Sequence, residues 1–292
     1  MNIVAILAVY NEEIYLRTCL EHLTRQGIQV YVIDNSSTDS SRDIVSSFID
    51  QGVIGMEVFP RNGVFEWVPL LRRKEELALE LKADWYIHHD ADEIRQAPMS
   101  YRTLAEGIEA VDKAGYNAIN FDEFVFLPTS DDVFFEGTDY VDKMLYYYFF
   151  EPGQLRRVNA WKNKGQAVDL VTSGGHRAEF DGSKTYPENF ILRHYIVLSL
   201  AQAIAKYGRE RVYSREEVEK RGWHGSRANV DIEAIHFPTV GELKQVMDGH
   251  WDKSSPWEKH TFLAEKVSSE KMRYQVQKYL LSIYRKIKNA KG

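Results

Sequence analysis

What this chain of 292 residues lacks narrows it first. Cys19 is its single cysteine, so an intrachain disulfide and a cysteine-ligated structural zinc are both excluded, and a reducing compartment fits best. No stretch approaches the ~20 consecutive apolar residues that a membrane span needs. The apolar start, Ile3 to Val9, has neither a basic segment before it nor a small-residue cleavage site after it, so it does not read as a secretory signal. A cytoplasmic protein is the expectation. Positive charge is also short: 37 Lys and Arg against 43 Asp and Glu leave −6, which argues against wholesale binding to nucleic acid. No linker rich in Pro, Gly or Ser divides the chain and no internal repeat runs through it, so a repeat array is excluded.

What is present is ordinary globular material, 44% hydrophobic and 27% charged, with enough apolar residues for a sizeable core. The length allows one large α/β domain, or one domain with a small extension. The 17 Tyr, 14 Phe and 6 Trp supply rings that suit stacking on sugars or bases and equally suit filling a core. Charge is unevenly spread: residues 270–292 hold seven Lys or Arg against one Glu, a local +6 that leaves −12 for residues 1–269.

Asn2 to Val9 is a continuous apolar run of the kind found in a strand buried on both faces. Asn11 is a candidate helix cap, and Tyr15, Leu16, Cys19, Leu20 and Leu23 recur at helical spacing behind it. Val30 to Ile33 is a second strand, breaking into the capping cluster Asp34 to Ser40 before a helix around Ile44 to Ile49. Val53 to Phe59 is a third strand, and a helix from about Pro69 to Lys82 carries Arg72, Arg73 and Lys74 near its start. Basic residues there oppose the helix dipole; an anionic ligand or simple solvent exposure accounts for them.

Trp85 to Arg95 then runs from an aromatic and β-branched strand into Asp90, Asp92 and Glu93. In an open α/β sheet the strand ends face the ligand crevice. Two aspartates one residue apart at such an end offer hard oxygen ligands to one divalent cation and leave coordination sites for phosphates. A solvated acidic turn is the plainer reading of the same residues. Beyond this point a helix from Tyr101 to Lys113, a strand from Ala118 to Phe126 and a strand from Lys143 to Phe150 are expected. Residues 156–180 show little pattern, Phe190 to Leu192 is a short strand, and a helix begins near Val197. Arg209 to Arg227 is charged and expected at the periphery, and two helical patterns follow from Val240.

These motifs carry a likeness. Ala8-Val9-Tyr10-Asn11-Glu12-Glu13, Val32-Ile33-Asp34-Asn35-Ser36-Ser37-Thr38-Asp39 and Asp90-Ala91-Asp92-Glu93 resemble, in order and spacing, the strand exits of family 2 glycosyltransferases with the GT-A fold. The chain departs from the family's usual Asp-Asp-Gly-Ser-Thr-Asp at Asn35 and Ser36, and from its Ala-Arg-Asn at Arg72-Arg73-Lys74. The Gln-x-x-Arg-Trp motif of processive polysaccharide synthases is absent, since Lys220-Arg221-Gly222-Trp223 does not match it. A single-addition enzyme of polysaccharide biosynthesis is thereby favoured.

The resemblance implies an α/β, mostly parallel sheet flanked by helices. Residues 1–115 would form the nucleotide-sugar-binding half of one GT-A domain, residues 116–239 its acceptor half, and residues 240–292 a helical extension. It implies an inverting transfer from a UDP- or GDP-sugar to a saccharide, lipid-linked or protein acceptor, with Mn2+ or Mg2+ as cofactor. Tyr10, Asn11, Glu12, Asp34, Arg73 and Asp90 would bind the donor, with Asp34 accepting from the base and Arg73 facing a phosphate. Asp90, Asp92 and His194 would hold the metal, His176 being the alternative histidine. Glu179 is the first choice of general base, on the ground that the family's base lies well downstream of the metal motif; Asp169, Glu188 and Asp122 stand as alternatives. The non-enzymatic alternative is a degenerate module that binds a saccharide or a partner protein. The tail, with Met272, Val276, Tyr279, Leu280, Ile283 and Ile287 on one face and basic flanks, either lies in an anionic membrane interface or docks on the catalytic domain.

Overall fold

The computed structural model describes residues 1–263 apart from 138, 154–156, 211 and 248. Strand β1 (Ile3–Val9) is buried on both sides. Because side chains alternate along a strand, Ile3, Ala5, Leu7 and Val9 face one core, where helix α1 (Glu13–Arg25) contributes Leu16, Cys19, Leu20 and Leu23. Val4 and Ile6 face the opposite core. β2 (Gln29–Asp34) pairs parallel with β1, α2 (Ser41–Ser47) follows, and β3 (Val53–Val58) pairs parallel with β2. α3 (Trp67–Glu80) covers the second core with Leu70, Leu71, Leu77 and Ala78, and β4 (Trp85–His89) returns parallel on the other side of β1. Each such buried aliphatic side chain contributes about 1.5–3 kcal/mol.

Past β4 the sheet changes character. β5 (Glu93–Gln96), α4 (Leu104–Lys113), β6 (Ala118–Phe126), α5 (Tyr140–Lys143), β7 (Tyr146–Phe150), β8 (Val158–Lys162) and β9 (Phe190–His194) follow in turn. The spatial order is β10-β7-β6-β8-β4-β1-β2-β3, β10 being Lys244–Gln245; β8 and β7 run antiparallel to their neighbours. β9 lies antiparallel to β5 and parallel to β6. The α/β class and the parallel amino-terminal sheet are as the GT-A resemblance implies, and the remaining half of the sheet is antiparallel except for the β6–β9 pair. α6 (Leu200–Ala205), α7 (Arg215–Arg221) and α8 (Gly225–Ala228) lie beyond it, and a third core gathers Val125, Tyr148 and Ile196 with Val230, Phe237 and Phe262.

Three local expectations change. Glu93 to Arg95 is a strand of its own, because the chain turns at Asp90–Asp92 and Glu93 finds a partner in His194. Asn11 is not a helix cap: with φ at 53° its side chain accepts from the Thr38 backbone N–H at 2.8 Å. The described residues between 240 and 263 form a 3-10 turn (Val240–Glu242), the short β10 and loops, not a helix. There Leu243, Phe262 and Leu263 reach the third core from irregular backbone, and Lys244 pairs with Tyr147. The tail expected to be amphipathic, 270–292, lies outside the described residues. Among the described residues no helix is long and apolar enough to cross a membrane.

Candidate active site

The carboxyl ends of β1, β2 and β4 open into one cleft of about 780 Å³, where a parallel sheet places its ligands. Tyr10 and Glu12 enter from β1, Asn35 from β2, and Asp90 and Asp92 from the turn after β4. The first two loops are tied together: the Asn35 N–H donates to the Val9 carbonyl at 2.8 Å and the Asn11 N–H to Ser37 Oγ at 3.0 Å. Gly174-Gly175-His176 passes across the cleft floor. A Cβ at Gly175, whose φ is +86°, would come within 3.1 Å of His88 Nε2 and of Leu71, so only glycine fits.

Charge is concentrated under and around the two aspartates. Asp92 lies 3.1 Å from Lys206 Nζ and 3.6 Å from His194 Nε2. His194 Nδ1 in turn meets Glu123 at 2.6 Å, and Arg157 donates twice to Glu123 at 2.7 and 2.9 Å. Burial alone would lower the His194 pKa, but Asp92 and Glu123 outweigh it and hold the imidazole at about 9, so it keeps its proton at neutral pH. Burial pushes the Glu123 carboxyl up; Arg157 and His194 overcome that and hold it well below the usual carboxylate range. Lys74 is wholly buried, 3.8 Å from Asp90, and donates to the His89 carbonyl and to His88 Nδ1 at 3.1 and 3.0 Å. Burial pushes its ammonium down to about 8.

An aromatic band runs along one wall. The Arg61 guanidinium lies 3.7 Å from the centre of the Tyr10 ring and 5.8 Å from that of Phe65, which stacks on Trp67 at 5.6 Å. Phe65 also meets Tyr213 and His224 edge-on, and those two stack at 5.0 Å. The Trp67 indole N–H donates to the Gly174 carbonyl at 2.9 Å, which fixes the band to the floor. Phe150 stacks on His260 at 4.2 Å, and both line the cleft, as does Glu258.

Residues 4–63 match the family model described as Glycosyl transferase family 2. That segment is family 2 glycosyltransferase-like. It comprises β1 to β3 with both of the cross-tied loops. The lipopolysaccharide core biosynthesis glycosyltransferase LpsC of Rhizobium meliloti (strain 1021) is 31% identical over 90 residues, or 30% of this chain and 31% of that protein, so the match spans about a third of the relative's length. Among solved structures, S. aureus TarS 1-349 in complex with UDP-GlcNAc aligns over 68% of this chain and 59% of that one, at 13% identity and a TM-score of 0.42. The mannosyltransferase PcManGT from Pyrobaculum calidifontis, in complex with GDP-Man and Mn2+, aligns over 70% and 61%, at 12% identity and a TM-score of 0.40.

Of the residues named from the sequence, the family 2 segment brings Tyr10 and Glu12 to the cleft, where Asp90, Asp92 and His194 join them. Asn11 lines a smaller neighbouring pocket of about 390 Å³. Asp34 is fully buried and turned onto its own loop, its carboxylate accepting from the Ser37 N–H at 3.3 and 3.2 Å; Asn35 takes the cleft position instead. Arg73 points away, locked by Glu57 at 2.7 and 3.0 Å and by Glu80 at 2.8 and 2.9 Å, so it is not a phosphate ligand as placed. Lys74, one residue on, is the basic side chain of that helix that turns inward.

None of the four carboxylates named as bases lines the cleft. Glu179 pairs with Arg177 at 2.6 Å, Asp169 accepts from Thr172, Glu188 is exposed, and Asp122 pairs with Lys253 and accepts from Asn189. Strand alternation shows what could have been seen: Glu123, next to Asp122 on β6, takes the opposite face and reaches the cleft. Residues 209–227, expected at the periphery, supply Tyr213, Trp223, His224 and Arg227 to the wall. Their hydrophobic pattern is too weak to announce this.

The donor set suits a divalent ion in one way only. Among the described residues no three ligating side chains cluster for a metal; Asp90 and Asp92 stand at the β4 exit, with His194 Nε2 3.6 Å from Asp92. Mg2+ or Mn2+ is commonly held by one or two carboxylates with the rest of its coordination from water and substrate phosphates. The two carboxylates fit an ion of that kind, whose remaining coordination comes from water and phosphate oxygens.

Proposed function

We propose that this chain transfers a single sugar, with inversion, from a nucleoside-diphosphate sugar to a saccharide, lipid-linked or protein acceptor. The observation that carries the reading is the meeting, in one aromatic-walled cleft, of the family 2 segment's Tyr10 and Glu12 with Asp90 and Asp92 at the β4 exit. Residues 1–115 hold the donor, residues 116–239 shape the acceptor side, and Glu258 and His260 add to the cleft lining.

In this reading the Phe65–Trp67 band offers ring faces to the nucleotide. Asp90 and Asp92 hold Mn2+ or Mg2+, which neutralises charge on the departing diphosphate. The acceptor oxygen bonds to the sugar carbon as the bond to the β-phosphate oxygen breaks, the electron pair leaves with the diphosphate, and the acceptor's proton goes to a carboxylate base. Of the cleft's carboxylates, Asp90 and Asp92 face the ion and Glu123 is clamped by Arg157 and His194. Glu12 belongs to the family 2 segment assigned to the donor, so Glu258, which lines the cleft from outside that segment, is the proposed base. The test is release of nucleoside diphosphate from UDP- and GDP-sugars by the purified chain, with Mn2+ and with EDTA. Mn2+-stimulated release is expected; no release and no nucleotide binding with any donor would leave only the degenerate module.

A further inference from the structure

Each aspartate of the pair is faced by a lysine, but the two lysines differ in kind. Lys74 reaches Asp90 from beneath, with no exposed surface, and is anchored to His88 and His89. Lys206 reaches Asp92 from the cleft side: it lines the main cleft and also the smaller pocket, together with Tyr10 and Glu12. Its ammonium donates to Asp92 Oδ2 at 3.1 Å and to the Ile196 carbonyl at 2.9 Å. Lys206 opens the π-helical turn Lys206–Glu210 that ends α6; such turns are rare and frequently stand at functional sites.

We infer that Lys206 is a tethered cation which occupies the metal-facing side of Asp92 until a diphosphate arrives. The inference rests on the proposed donor site. A carboxylate oxygen already engaged by an ammonium is a poor ligand for a divalent ion, because the two cations compete for one negative charge and repel each other at close range. A diphosphate brings the negative charge that both cations need. The ammonium then moves from Asp92 to a phosphate oxygen, and Asp92 is released to the ion. The order of binding follows: the ion enters with the nucleotide and not before it. Lys206 also gives the leaving group a cation of the chain's own. Asp90 has no such exchange, since Lys74 is walled off from the cleft.

The test measures binding and not turnover. Mn2+ alone is titrated into the full chain and into Lys206→Met and Lys206→Gln, followed by calorimetry or by the electron paramagnetic resonance of free Mn2+. The two variants are expected to bind Mn2+ about tenfold or more tightly than the parent, and to bind UDP or GDP in EDTA about tenfold more weakly. Lys206→Arg should keep the parent's behaviour in both. Equal Mn2+ affinity in the parent and in whichever neutral variant folds would overturn the inference. A gain in Mn2+ affinity with no nucleotide binding by the parent would keep Lys206 as the tether on Asp92 and overturn the donor-site reading instead.

Discussion

The Glu217 carboxylate lies across the start of α3, accepting the Trp67 backbone N–H on one oxygen at 3.0 Å and the Val68 N–H on the other at 2.7 Å. A negative group there satisfies donors that a helix leaves open and complements its dipole. The Trp223 N–H closes on the Glu217 carbonyl at 3.2 Å, so one buried residue of α7 fastens two parts of the aromatic wall. Glu217→Ala should cost about 1–2 kcal/mol in urea unfolding, and Glu217→Gln less, with a fall in nucleotide affinity in both. Unchanged stability in the alanine variant would show that the cap is redundant.

Asp34 closes the loop after β2 from inside the protein. Removing its carboxylate leaves the Ser37 N–H without that acceptor and Arg42, 3.7 Å away, without its counter-charge. Asp34→Ala is expected to lower stability by about 1–3 kcal/mol and to raise donor KM through the displaced Asn35. A raised KM at full stability would return Asp34 to the direct nucleotide contact that the sequence suggested.

The buried ammonium of Lys74 titrates at about 8 against an ordinary 10.5. Between those values the unfolded chain carries a proton that the folded chain has lost, so this group makes stability rise with pH. Below about 8 both states are protonated and the full cost of burial is present. The stability of the parent relative to Lys74→Met should therefore climb by on the order of 3 kcal/mol from pH 8 to 10.5, read by denaturant unfolding at several pH values. A difference that stays flat would show that Lys74 keeps its proton throughout.

Glu258→Gln should lower kcat by about 10²–10⁴-fold, the usual worth of a positioned general base, while donor KM stays within a few-fold. Glu12→Gln should do the reverse. A kcat collapse in the Glu12 variant with Glu258→Gln near normal would exchange the two roles.

How much was legible follows from what each residue type reports locally. β1 stood out because Ile3 to Val9 is an unbroken apolar run, and β6 because Ile119, Phe121, Phe124, Val125 and Phe126 are β-branched or aromatic. β8 was missed: Val158-Asn159-Ala160-Trp161-Lys162 alternates in neither polarity nor size, and it is a strand because β4 and β6 hold it on both sides. Tyr10, Asp90 and Asp92 were readable as cleft residues because strand ends in a parallel sheet share one edge. Arg73 and Lys74 were not separable in sequence; a rotation of about 100° on the helix sends one to three glutamates and the other beneath Asp90. Lys206 lies just past α6, in the stretch where the sequence announces only a helix beginning near Val197. Its tie to Asp92 spans 114 positions, and no local pattern records such a pair.

The strand order has a kinetic consequence. β1 pairs with β2 after a short excursion, but its other edge waits for β4, with Ile3 opposite Trp85, and β4 waits for β8. Each of these pairings closes a long loop before any contact rewards it, which slows folding. The cleft is assembled from the ends of these same strands, so it belongs to the last events of folding. Chains that have collapsed with only the first βαβ unit in place would pair Ile3 to Val9 on one edge and leave the other bare. That bare edge is the surface at which an incompletely folded copy would pair with another.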